Sequence, residues 1–235
     1  MKQRYFWVAA VLILFAAAVF LPRHVLLPRF TAELQDYIKE QFHAEEVEID
    51  LAWHGSWSLL LGRVPEVEIV IADGSTAGLP IQSARLKAVD LRFHPWALFK
   101  EREFWYAGSE FLQISARVTE QGLNEYFREH VSQIQDLQVQ AREGKLQVRG
   151  ILYFLNVPWE LALEGRLEIA GPTMVRVVPT GLMVEDAAAP PALVEMLYQF
   201  FSFNIDLDQF PFPIEITSIL VDDGGIELAI EEVRE

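Results

Sequence analysis

Hydrophobic and polar residues alternate along this chain with two different periods, and the points where the period changes divide it into elements. From Tyr5 to Leu21 there is no alternation: the run YFWVAAVLILFAAAVFL is uncharged, with Lys2 and Arg4 before it and Arg23 after it. As a helix it reaches about 25 Å, enough for a bilayer core of roughly 30 Å when flanking side chains snorkel. A cleaved signal peptide has the same layout. Val19-Phe20-Leu21, however, carries the apolar run past the small residues Ala16-Ala17-Ala18, which favours an uncleaved signal-anchor. Residues 1–27 are therefore expected to form a single-pass anchor, and residues 28–235 an extracytoplasmic domain held at the cell membrane. The charges on both flanks of the segment set its orientation only weakly.

Beyond the anchor the period first becomes helical. Phe30, Leu34, Tyr37, Ile38 and Phe42 repeat at three- and four-residue intervals behind Pro28, which predicts an amphipathic helix over 28–43. The period then drops to two. Val47, Ile49 and Leu51 alternate with Glu46, Glu48 and Asp50, and Val67, Ile69 and Ile71 repeat the pattern before a predicted turn at Asp73-Gly74-Ser75. Val89, Leu91 and Phe93 form a third set with which Leu86 is out of phase, predicting a bulge near Ala88. Leu112–Val118 is a fourth strand. Thr119 then reads as the N-cap of a helix striped by Leu123, Tyr126, Phe127, Val131 and Ile134. Arg142-Glu143-Gly144-Lys145 and Asp222-Asp223-Gly224-Gly225 are hairpin signals between alternating segments. Between them lie Trp159–Ile169, with Trp159, Leu161, Leu163, Leu167 and Ile169 on one face and Glu160, Glu164, Arg166 and Glu168 on the other, and a strand over Val175–Val184 interrupted by Pro179-Thr180-Gly181. Strands in runs, joined by hairpins and with few helices, define an α+β class with antiparallel pairing.

One segment departs from both periods. In PPALVEMLYQFFSF (Pro190–Phe203), read as a helix, Glu195, Gln199 and Ser202 make one narrow polar stripe and apolar side chains cover the rest. A surface helix buries one face; this one must be covered nearly all round. It is either a core helix or a surface facing an acyl chain or a membrane. On the second reading the candidate lipid contacts are Leu193, Met196, Leu197, Phe200, Phe201 and Phe203.

Composition narrows the chemistry. The formal charge is −15, from 19 Lys+Arg against 34 Asp+Glu, a balance that repels phosphate backbones and argues against a nucleic-acid partner. With no cysteine there are no disulfides, no lipobox, no thiolate zinc site and no thiol catalysis. The five histidines show no metal-binding spacing, and no nucleophile elbow, P-loop or dinucleotide fingerprint occurs. Asp206-x-Asp208 lacks the glycine and terminal glutamate of a calcium loop. Glu46, Glu48 and Asp50 read as the wet face of a strand. No catalytic residue, metal ligand or cofactor site is assigned.

The order of segments carries a resemblance. Val118-Thr119-Glu120-x-x-Leu123-Asn124-x-Tyr126 follows a strand and precedes a hairpin and the strand LEGRLEI. Phe203-Asn204-Ile205-Asp206-Leu207-x-x-Phe210-Pro211-Phe212-Pro213-Ile214 precedes the last hairpin, and LLGRVPEVEIVIADGSTAGLPIQSARLKAVDLRF (Leu60–Phe93) fits upstream. Together these resemble the LmeA-like phospholipid-binding family. The resemblance implies a curved antiparallel sheet wrapped around helices, like that of tubular lipid-binding proteins of the BPI type. It also implies a phospholipid or other membrane lipid as the partner, and it transfers no catalytic site. The expected function is lipid binding in a hydrophobic cavity at the cell envelope, without enzymatic activity. The alternative is a ligand-free envelope scaffold or interaction domain, and cavity volume separates the two.

Overall fold

The computed structural model describes residues 27–52, 57–76, 78–101, 103–131, 134–154, 157–184, 187–188, 204–206 and 213–233. The expected anchor at Tyr5–Leu21 lies outside these residues, as do Leu193, Met196, Leu197, Phe200, Phe201 and Phe203. No helix among the described residues is long and apolar enough to cross a membrane.

Helix α1 (Leu27–Phe42) matches the first helical stripe, and Phe30, Leu34, Ile38 and Phe42, four residues apart, form its buried edge. A first sheet follows: β1 (Glu46–Ala52), β2 (Arg63–Thr76), β3 (Leu79–Phe93), β4 (Tyr106–Gly108) and β5 (Phe111–Thr119). Helix α2 (Glu120–His130) then leads into β6 (Ile134–Arg142), β7 (Lys145–Phe154), β8 (Val157–Ile169) and β9 (Met174–Val184). The short strands β10 (Ala187–Ala188) and β11 (Asn204–Asp206) both pair with β9, and β12 (Ile214–Asp222) and β13 (Gly225–Glu232) form the final hairpin. Every pairing among the described residues is antiparallel.

The described strands form two open sheets where the family resemblance implies a single curved one. The first runs β1-β2-β3-β5-β13-β12 with β4 also on β3; the second runs β10-β9-β8-β7-β6 with β11 on β9. The final hairpin joins the first sheet through β13 against β5, a pairing that hairpin signals cannot reveal. The sheets meet where two hairpin turns exchange backbone bonds: Gly144 N–H donates to Val221 O (2.9 Å) and Gly224 N–H to Ala141 O (3.5 Å). Further along β12, Ile216 N–H donates to Pro172 O (2.7 Å) in the β8–β9 turn.

The long β2–β3 hairpin carries paired irregularities. Pro65 and Glu66 both turn off the inner face between buried Val64 and Val67, and opposite them Val89 and Asp90 do the same between Ala88 and Leu91. Asp90 takes φ of 49° there. The bulge expected near Ala88 thus falls at Val89-Asp90, and Val89 faces outward rather than inward. Asp73, also at φ 49°, marks a second irregularity. Asp73-Gly74-Ser75 is therefore not the turn; β2 continues through it to Thr76. Such interruptions bend and twist the strands that carry them. Thr180 is a further extra residue, since Gly181 faces Glu164 while Pro179 faces Gly165, as the Pro179-Thr180-Gly181 interruption suggested.

Two other expectations are corrected. Ile134 opens β6 instead of extending the α2 stripe, because the helix stops at His130 with Val131 as its C-cap. Ile169, in phase with the buried residues of β8, is exposed at the strand end.

Candidate functional site

Helix α1 packs on β1 and β2 and on the short turn Ala97–Glu101. Its buried edge forms the roof of a slot whose floor is the inner face of the first sheet. The roof is Leu34, Tyr37, Ile38 and Phe42; the floor includes Ile69 and Ile71 of β2, Ile81, Ala84 and Leu91 of β3, and Leu112 and Ile114 of β5. Phe104 closes one side. Apart from the Tyr37 hydroxyl, the side chains of these residues carry no polar atom, so the slot has nothing to hold water in place. Its enclosed volume is about 40 Å³.

Helix α1 makes packing contacts at both ends. The Phe30 ring, in its first turn, lies 5.0 Å from that of Phe93 at the end of β3, and Phe93 stacks on Phe104 at 5.8 Å. At the other end the Phe42 carbonyl lies against Gly74, where a Cβ would come within 3.1 Å. Between them Gln35 Nε2 donates to the Val47 carbonyl (2.9 Å). The Tyr37 ring sits 6.1 Å from Phe104. Burial, and then the negative charge of Glu103, push its phenol above the usual range. Among the described lining residues the Tyr37 hydroxyl is the one polar side-chain group, and it feels the charge of Glu103.

Helix α2 closes the junction between the sheets and shows why the motif around it has that spacing. Thr119 caps it, its Oγ1 accepting from Gly122 N–H (3.1 Å). The Glu120 side chain accepts from Ala141 N–H (2.8 Å). The Asn124 side chain completes the β6 backbone in both senses: Oδ1 accepts from Val139 N–H (2.7 Å) and Nδ2 donates to Val139 O (2.8 Å). Leu123 is fully buried. Gly122 lets the helix approach β3, since a Cβ there would meet the Pro80 carbonyl at 2.9 Å.

The polar clusters have the geometry of braces. Tyr106 and Ser109 both donate to the Glu232 carboxylate, tying β4 to the end of β13. Burial, and then that hydrogen bond, push the Tyr106 phenol well above its ordinary range. Arg117 grips Asp222 with two hydrogen bonds (2.9 and 3.0 Å) across the final hairpin. Glu46, Glu48 and Asp50 are exposed, as a solvated strand face requires. Among the described residues no group of three or more His, Asp or Glu is placed to hold a metal.

The structure therefore brings together a set of residues that the sequence pattern marks only as apolar faces of separate elements. The signal was present in the Leu34, Ile38 and Phe42 stripe and in the inward positions of β2, β3 and β5. What it lacked was the pairing that gathers them under one helix. Open antiparallel sheets with an apolar slot beneath an amphipathic helix form a module suited to apolar contact. The chain belongs to the LmeA-like phospholipid-binding family, whose model matches residues 17–231. No curated protein and no solved structure matches it.

Proposed function

We propose that the protein is a membrane-anchored, extracytoplasmic lipid-binding protein that takes the acyl chain of a phospholipid or related lipid into the slot beneath α1. On this reading it binds without catalysis. The observation that carries it is the apolar lining of that slot in a member of a phospholipid-binding family. Each buried methylene contributes about 0.8 kcal/mol. The lipid headgroup stays at the edge of the slot, beside the Tyr37 hydroxyl. Leu193, Met196, Leu197, Phe200, Phe201 and Phe203 are proposed as further acyl contacts, and Tyr5–Leu21 as the tether.

An enclosed volume of about 40 Å³ is far below the roughly 300–1,000 Å³ of ordinary ligand pockets. Binding therefore requires α1 to move off the sheet. Because the roof packs on the floor through apolar side chains, an inserted acyl chain replaces carbon contacts with carbon contacts, and the β2–β3 ladder stays paired. The same small volume favours the competing reading of a ligand-free scaffold.

Ala84→Leu separates the two. It pushes a branched side chain into the slot from the β3 floor. Native mass spectrometry of the full chain, purified in mild detergent, is expected to show bound phospholipid for the parent and several-fold less for the variant. Circular dichroism should be unchanged. Bare protein in both samples after incubation with lipid would establish the scaffold instead.

A further inference from the structure

At one end of the first sheet three large apolar side chains stand in solvent: Leu61 is 76 % exposed, Trp96 80 % and Trp105 52 %. They sit on backbone segments that touch one another. Phe93 N–H donates to Gly62 O (2.8 Å), and Gly62 lies against Pro95, which places Leu61 and Trp96 one residue to either side of that contact. His94 N–H donates to Trp105 O (3.0 Å), and the His94 and Trp105 rings meet edge-on at 6.2 Å. The Trp105 indole donates to Glu103 (2.8 Å), so its polar edge is satisfied while its ring faces outward. An apolar ring with one wet edge suits a membrane–water interface.

This rim lies at the end of the molecule where α1 begins. Phe30, in the first turn of α1, contacts Phe93, which immediately precedes the rim segment. From Leu27 back to Leu21, the last residue of the uncharged run, is six residues, at most about 20 Å when extended. We propose that Leu61, Trp96 and Trp105 form a docking face that seats this end of the domain in the lipid interface of the membrane it is tethered to. The proposal rests on Tyr5–Leu21 being the tether. The body carries a net charge of the wrong sign for anionic headgroups, so the contact is made by apolar and aromatic groups. Phe104 and Tyr37 place the edge of the slot next to Trp105, so docking also brings that edge to the source of lipid.

The chain has no cysteine, so single labels can be introduced without background. Lys100→Cys carries an environment-sensitive fluorophore on the turn beside Trp96. Glu143→Cys carries it on the hairpin turn where the two sheets meet, away from the rim. Both full-length proteins are reconstituted into phosphatidylethanolamine–phosphatidylglycerol vesicles containing shallow spin-labelled lipid. The Lys100→Cys label is expected to be quenched several-fold more than the Glu143→Cys label. Adding Leu61→Ser, Trp96→Ser and Trp105→Ser, all at exposed positions, should abolish the difference while the protein still floats with the vesicles. Equal quenching at the two sites in a chain that floats overturns the docking face and leaves the tether standing. A chain that does not float overturns both.

Discussion

Asn124→Ala is expected to lower the stability of the domain by about 2–6 kcal/mol, since it leaves a backbone donor and a backbone acceptor without partners at about 1–3 kcal/mol each. Both belong to Val139, which is 1 % exposed and cannot turn to water. The same side chain donates to Glu120 O (2.7 Å) within α2. Removing it therefore loosens the helix, its seat on β6 and the contact between the sheets together. Urea unfolding followed by circular dichroism measures the loss. Asn124→Asp keeps the acceptor for Val139 N–H but sets a carboxylate against Val139 O, so it should also be clearly destabilised. A midpoint within experimental error of the parent for both variants would show that α2 does not brace β6.

Gly62→Ala is expected to cost about 3 kcal/mol or more, from strain combined with forced separation of two strand ends. Gly62 has φ of 70°, the left-handed region in which a Cβ is disfavoured by about 1–2 kcal/mol. A Cβ would also overlap the Phe93 carbonyl and come within 2.9 Å of Pro95. Neither neighbour can yield cheaply. Phe93 N–H is bonded to Gly62 O, and the Phe93 ring is packed against Phe30 and Phe104. Gly144→Ala provides the comparison: its φ is 81°, but nothing lies within 4 Å of the added atom. It bears the conformational cost alone, about 1–2 kcal/mol. Thermal unfolding of the two variants should separate them widely, and equal melting temperatures would contradict the close approach at Gly62.

The elements were largely legible because most of them obey one period. The α1 stripe is strict, and the helix was read to within one residue at each end. The Glu143-Gly144 turn was found because glycine sits where φ is positive. Sequence and structure diverge where the backbone leaves its period. At Val89-Asp90 two successive side chains turn outward, so the phase set by Leu91 and Phe93 does not extend back to Val89. At Asp73 a turn-like tripeptide sits inside a strand, because β3 pairs on either side of it.

The division into two sheets was not legible, since it depends on β13 meeting β5 more than a hundred residues away along the chain. The α2 motif shows the same limit from the other side. Thr119 could be read as a cap because its partner is three residues on. The partners of Glu120 and Asn124 lie on β6 and become apparent only once that strand is in place. The slot shares this character: its residues belong to four elements and the loop that carries Phe104, each of which by itself looks like ordinary core. The sequence candidates in Leu193–Phe203 stand out for the opposite reason, because that one segment alone has more apolar surface than a single face can bury.

The most direct test is photocrosslinking with a phospholipid carrying a diazirine midway along an acyl chain, applied to the full-length protein and mapped by peptide mass spectrometry. Crosslinks are expected on α1 around Leu34 and Ile38 and on the facing strands around Ile69 and Ile81, and Ala84→Leu should remove them. Crosslinks that never fall on α1, β2, β3 or β5, although the lipid co-purifies, would contradict the slot beneath α1 as the place where the lipid chain lies.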